Sequence, residues 1–161
     1  MNDQSTFKID NTNKRILHDL QVDGRMTNVE LAARANISAP PCLRRVRALE
    51  EEGVIRGYHA DVDPSPLGFK ETFFALVGLD GQSQDVLQSF EGWADGVPEI
   101  RECHMVRGGG DFILKLLARD KEHRDDLTMH LTAAEHVSNV TTFETIRTSK
   151  DEPGPPIPVE K

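Results

Sequence analysis

Several scarcities bound this sequence before any motif is read. Two cysteines in 161 residues, Cys42 and Cys103, are too few for a disulfide framework and fit reduced thiols, although spacing alone does not forbid a bond between them. Long apolar runs are missing too: the longest stretch without a charged residue covers nine positions, 35–43, whereas a membrane span needs about 18 or more. The opening Met1-Asn2-Asp3-Gln4 lacks the basic and apolar regions of a targeting peptide. These features lead us to expect a cytoplasmic chain with no membrane partner. Positive charge is also short, with 19 Lys and Arg against 27 Asp and Glu for a net charge of −8. Taken whole, that disfavours a nonspecific polyanion binder.

The deficit is unevenly placed. Residues 1–60 hold 9 basic and 8 acidic side chains, whereas 61–161 hold 10 and 19. Such a split suggests two units with different partners. With 37% hydrophobic and 29% charged residues the chain can bury a core. Its length allows two compact units of roughly 60 and 90 residues.

The first nine residues are polar and expected to fray. Asp10 then caps a helix bearing Ile16, Leu17 and Leu20, which Gly24 ends. Thr27 opens a second helix with Glu30 as capping-box partner and Leu31, Ala32 and Ala35 as its apolar stripe. After Asn36 a third helix starts at Ser38, tolerates Pro40 and Pro41 in its first turn, and repeats Leu43, Val46 and Leu49 toward the core before stopping at Gly53. Residues 54–60 read as a strand or wing, and 61–68 as a Pro-containing linker.

From Phe69 the period becomes that of strands. One strand carries Phe73, Ala75, Val77 and Leu79 on one face and Phe74 and Leu76 on the other, so both faces are expected to be covered, one of them by helices. A helix follows from Ser83, then strands over 100–107 and 112–118, a helix capped by Asp120, and a last β-branched strand over 141–148. The order βαββαβ is ferredoxin-like. The expected class is therefore α+β: a winged helix-turn-helix over 1–60, a ferredoxin-like domain over 69–149, and a disordered Pro-rich tail over 150–161 with four of the nine prolines.

Between Leu31 and Leu49 every charged residue is an arginine: Arg34, Arg44, Arg45 and Arg47. With Leu43, Val46 and Leu49 inward, about 100° per residue sets Pro41, Arg44 and Ala48 opposite, with Arg45 and Arg47 at the edges. In a helix-turn-helix the second helix enters the major groove by its N-terminal end. The candidate DNA contacts are accordingly Thr27, Asn28, Arg34, Ser38, Ala39, Pro40, Pro41, Arg44, Arg45, Arg47 and Ala48. The plainer reading is a solvated arginine face on a three-helix domain. Two recognition helices in a dimer would compensate for the modest basic excess of one copy.

The second unit offers little catalytic chemistry. Gly108-Gly109-Gly110 is not followed by the Lys-Ser/Thr of a phosphate loop and reads as a hairpin turn. His123, His130 and His136 lack a metal-binding spacing, and adjacent Cys103 and His104 point to opposite faces of a strand. Neither an enzyme nor a cofactor is expected.

Two motif blocks carry a resemblance. Asp23-Gly24-Arg25, Thr27-Asn28-Val29-Glu30-Leu31-Ala32, Ile37-Ser38, the run from Pro41 to Glu50, Gly53-Val54-Ile55 and Gly57-Tyr58 form the first; Ile100 to Val106, Gly108 and Asp111 to Lys115 form the second. From about Asp10 to Lys150 the chain resembles the leucine-responsive regulator/AsnC family. The resemblance implies a transcription regulator that binds double-stranded DNA, dimerises through the ferredoxin-like domain, assembles to octamers and senses an amino acid between dimers. It places the effector at His104, Met105, Val106, Gly108, Gly109, Gly110 and Asp111, with Val140, Thr141 and Thr142. Here the chain departs from its relatives. Three glycines replace a loop that commonly offers an Asp or Asn side chain, and Glu135-His136-Val137 replaces a Leu-Pro-Gly. An effector-independent protein that wraps DNA is the alternative those glycines suggest.

Overall fold

The computed structural model describes residues 7–159, so the expected fraying of the first nine residues lies mostly outside the described part. The chain divides into two compact units, one formed by residues 1–61 with 150–161 and the other by residues 62–149.

The first unit holds α1 (Asn11–Val22), α2 (Asn28–Arg34) and α3 (Ala39–Glu51). Local chemistry sets each start. Asp10 accepts the Asn13 N–H at 2.8 Å, and Thr27 and Glu30 close a capping box. Ser38 stands at the cap of α3 without making a side-chain cap bond. Asn36, with φ 56°, turns the chain between α2 and α3, and Gly53, with φ 68°, ends α3. Ile16, Leu31, Ala32, Ala35, Cys42 and Leu49 form the core.

Two expectations need correction here. The inward face of α3 is centred on Cys42 and Leu49, while Leu43 is 40% exposed. Cys42 and Leu49 are seven residues apart, about two turns, whereas Leu43 sits about 100° round the helix. Residues 54–60 form no strand. No second segment of the unit pairs with them among the described residues, and Tyr58 instead donates to Glu50 Oε1 at 2.9 Å.

The second unit contains a short 3-10 turn (Ser65–Leu67), β1 (Glu71–Leu79), α4 (Gln84–Asp95), β2 (Ile100–Met105), β3 (Phe112–Ala118), α5 (Lys121–Thr132) and β4 (Val137–Glu144). The strand order is β2-β3-β1-β4 with every pairing antiparallel. Phe73, Ala75 and Val77 pack with Phe112, Leu114 and Leu116 beneath Phe90 of α4 and Leu127 and Leu131 of α5. The opposite face lacks a helix of this unit among the described residues, so helices cover one face, as expected. Register places Phe74 beside Phe143 and Lys115, and Leu76 beside Ile113 and Thr141, on that face. Phe143 is 51% exposed.

The last strand begins four residues earlier than its β-branched composition suggests. Val137 pairs with Leu79, and β4 ends at Glu144, so pairing with β1 sets its limits. Residues 150–159 have no regular structure. Gln21 of α1 donates to the carbonyls of Pro153 and Pro155 at 2.7 and 3.0 Å.

Candidate functional site

The arginines of the helical unit divide into two kinds. Arg45 Nη1 donates to Asp10 Oδ2 and to Asn13 Oδ1, both at 2.8 Å. The Asn13 backbone N–H and the Arg45 guanidinium together hold the Asp10 carboxyl below the usual carboxylate range, against a smaller opposing effect of burial. Arg45, expected at the edge of α3, thus lies on the side that faces α1, with its side chain 34% exposed. With the inward face at Cys42 and Leu49, Arg45 falls about 50° from its centre. By contrast Arg44 and Arg47 are exposed, and no hydrogen bond or ion pair engages either among the described residues.

Arg34, at the end of α2, is tied to Asp19 at 3.0 Å yet remains 58% exposed. Asn28 is turned inward. Its Nδ2 donates to the Ala39 carbonyl at 2.8 Å, which fastens the start of α2 to the start of α3, and its buried Oδ1 has no partner. Asn28 thus helps to position α3. Ala39 packs against the core and serves the same end. Thr27 is exposed, with its hydroxyl held by Glu30 at 2.6 Å. Ser38 and Pro40 are exposed, and Pro41 and Ala48 half-buried. The outward surface of α3 thus combines an uncapped N-terminus, small or ring side chains near it, and two unpaired guanidinium groups. Such a surface suits a polyanion: N–H groups and the helix dipole favour negative charge, and guanidinium forks match phosphates and guanine edges.

In the second unit the loop between β2 and β3 is closed by Val106 N–H donating to the Asp111 carbonyl at 2.9 Å. Asp111 is firmly held. Its backbone N–H donates to Val77 O at 2.8 Å, Oδ2 accepts the Leu79 N–H at 2.8 Å, and Oδ1 accepts from Gln82 at 2.9 Å. Gly110 is packed so closely that a Cβ would lie 2.9 Å from both Leu76 Cγ and Val77 O. Gly108, with φ 148°, faces open space. The pairing of Val77 with Val140, Leu76 with Thr141 and Ala75 with Thr142 puts the second expected segment on the far side of β1 from this loop, so β1 lies between them. His104 is exposed and sits 3.2 Å from Glu102, whose other oxygen takes Lys115 at 3.1 Å. Lys115 first, then His104, hold the Glu102 carboxyl below its ordinary value. Met105 is exposed and Val106 half-buried.

Two comparisons with known families match these halves separately. Residues 9–56 match a winged helix-turn-helix DNA-binding family, and residues 72–155 match the Lrp/AsnC ligand binding domain. A leucine-responsive regulatory protein of Rhizobium meliloti (strain 1021) is 48% identical over 145 residues, 89% of this chain and 93% of that protein. The chain belongs to the Lrp/AsnC family. It is a DNA-binding transcription regulator with an amino-acid-binding type of domain. A proline dehydrogenase transcriptional activator of Rhodobacter capsulatus is 36% identical over 86% of this chain and 90% of its own length. Among solved structures, a transcriptional regulator of Neisseria meningitidis in complex with L-Met superposes with a TM-score of 0.87 at 28% identity, covering 92% of this chain and 97% of that one.

Within this Lrp/AsnC chain, several residues that shape the site gave no local signal. Asn13 and Asp19 are buried polar groups on α1, acceptors for Arg45 and Arg34 respectively. A polar residue on an otherwise apolar stripe was the available sign. Gln82 and Asn139 flank the Asp111 end of the sheet, and Asn139 Nδ2 would lie 2.4 Å from a Cβ at Gly78. Among the described residues, no cluster of three or more His, Cys, Asp or Glu suits a metal, and no helix is long and apolar enough to cross a membrane.

Proposed function

We propose that this regulator reads DNA through the outward surface of α3, with Arg44 and Arg47 as its principal cationic contacts. The exposure of both guanidinium groups, beside an α3 start with an unused cap hydroxyl, carries this reading. Ser38, Pro40, Pro41 and Ala48 line the base-facing part, and Thr27 and Arg34 meet the backbone. Asn28, Ala39 and Arg45 hold the helix in place. Two copies present two recognition helices to half-sites about one helical turn apart. The apolar sheet face of Phe74, Leu76, Ile113 and Phe143 supports a homodimer formed by stacking two such sheets, and dimers then associate to an octamer. The reading places the protein in the cytoplasm with the nucleoid and gives it no catalytic role.

The effector is a free α-amino acid, and the Neisseria relative with L-Met supports that class. Its site comprises His104 to Val106, Gly108 to Asp111 and, from β4, Val140 to Thr142, completed between dimers. Because Asp111 is already engaged by Leu79 and Gln82, its carboxylate shapes the loop and offers an ammonium group only its remaining acceptor capacity. An effector bound there alters DNA binding only through different affinities for the assembly states.

The test is gel-shift titration against the promoter beside the gene and a scrambled duplex, each with and without L-Met. Tighter binding to the promoter, altered by L-Met, supports the reading. Equal binding to both duplexes removes the claim of sequence specificity. Calorimetry with the twenty amino acids tests the effector separately: no saturable heat with any of them removes it and leaves the DNA-wrapping alternative.

A further inference from the structure

The C-terminal segment is the part of the chain that regulation by DNA and amino acid leaves without a task. The chain passes from the helical unit to the sheet unit after residue 61 and returns to the helical unit after residue 149. Once back, it is gripped. The Gln21 amide donates to the carbonyls of Pro153 and Pro155, the two residues that flank Gly154. Gly154 has φ +64°, and a Cβ there would lie 2.5 Å from Gln21 Nε2, so glycine is needed for both conformation and space. Further along, Val159 lines a groove with Arg15, His18, Asp19 and Arg34. Prolines lack N–H groups and hold an extended path at little further cost in entropy, while their carbonyls stay available to a side-chain donor.

We propose that residues 150–159 are a strap that docks on α1 through the Gln21 clamp and the Val159 groove, and competes there with DNA for the edge of the reader that carries Arg34. The strap brings Asp151 and Glu152 to a unit that must approach phosphates. Its apolar end sits beside an arginine assigned above to the DNA backbone. Occupancy of this edge by strap and by DNA is therefore mutually exclusive, and each must weaken the other by the same factor. The competition rests on that assignment of Arg34; the docking does not.

The test uses the full chain with a nitroxide on Pro156→Cys, an exposed position outside the clamp, in a Cys103→Ser background; Cys42 is fully buried. The label is expected to be restricted in the parent and mobile in both Gln21→Ala and Gly154→Ala, one acting from the helix and one from the strap. Random-sequence duplex should bind each of these variants tighter, by roughly fivefold if the strap is closed about four-fifths of the time, and should itself mobilise the label in the parent. A label already mobile in the parent overturns the docking. Variants that free the label yet bind duplex no tighter overturn the competition. The label reports docking without DNA, so its failure is distinct from failure of the DNA-facing assignment, which would appear as a parent that binds no duplex.

Discussion

Arg45 Nη1 lies 2.8 Å from Asp10 Oδ2, which joins the middle of α3 to the N-cap of α1 across 35 residues of sequence. The same carboxylate caps α1 through Asn13 N–H. Replacing Arg45 by Ala removes a charge-assisted pair and leaves Asn13 Oδ1, on a buried residue, without its donor. Urea unfolding followed by helical circular dichroism should show a loss of about 1–3 kcal/mol. The salt dependence of DNA binding should be unchanged in Arg45→Ala, because that guanidinium faces α1.

The Asp10 carboxyl titrates below its ordinary value of 3.8, so its contribution is present above that pH and lost as pH falls through the lower folded value. Asp10→Asn keeps a good cap but removes the charge. The variant should be less stable than the parent at pH 7, and the difference should be smaller at an acid pH below 3.8. Parallel unfolding curves at the two pH values check this.

Glycines 109 and 110 are neighbours with opposite tolerances. A Cβ on Gly109 would make an ordinary contact of 3.6 Å with Leu76, whereas one on Gly110 meets Leu76 Cγ and the Val77 backbone oxygen at 2.9 Å. Gly109→Ala should leave the thermal midpoint of the sheet unit unchanged. Gly110→Ala should lower it by an amount equivalent to about 1–3 kcal/mol and displace the loop that holds Asp111, which weakens any amino-acid response.

The corrected face of α3 makes a further contrast. Leu49→Ala empties a fully buried position and should cost about 2–5 kcal/mol. Leu43→Gln, at a position 40% exposed, should cost under about 1 kcal/mol by the same unfolding measurement.

What the sequence made legible is mostly what lies within a few residues. Asp10, Thr27 with Glu30, Ser83 and Asp120 accept N–H groups three residues on, so their helices could be placed by reading forward. β3 was legible because a short apolar run, Phe112 to Ala118, follows the glycine-rich turn at 108–111. The face of α3 was not, because Leu43 is more hydrophobic than Cys42 by composition alone, and only packing against Ile16 and Leu31 selects the cysteine. The roles of Arg45, Asn28 and the strap rest on partners 35, 11 and more than 130 residues distant. No periodicity carries such information. At the effector loop the glycines were visible, while the engagement of Asp111 by Leu79 and Gln82 needed the sheet register.

The most direct test of the account is the salt dependence of DNA affinity for the parent, Arg44→Ala, Arg47→Ala and Arg45→Ala, measured by fluorescence anisotropy on one promoter duplex. If Arg44 and Arg47 meet phosphates, each replacement should weaken binding and reduce the slope of log affinity against log salt by about 0.9 per protomer, with Arg45→Ala matching the parent. Unchanged slopes for Arg44→Ala and Arg47→Ala, or a reduced slope for Arg45→Ala alone, would contradict the assignment of the outward face of α3 to DNA.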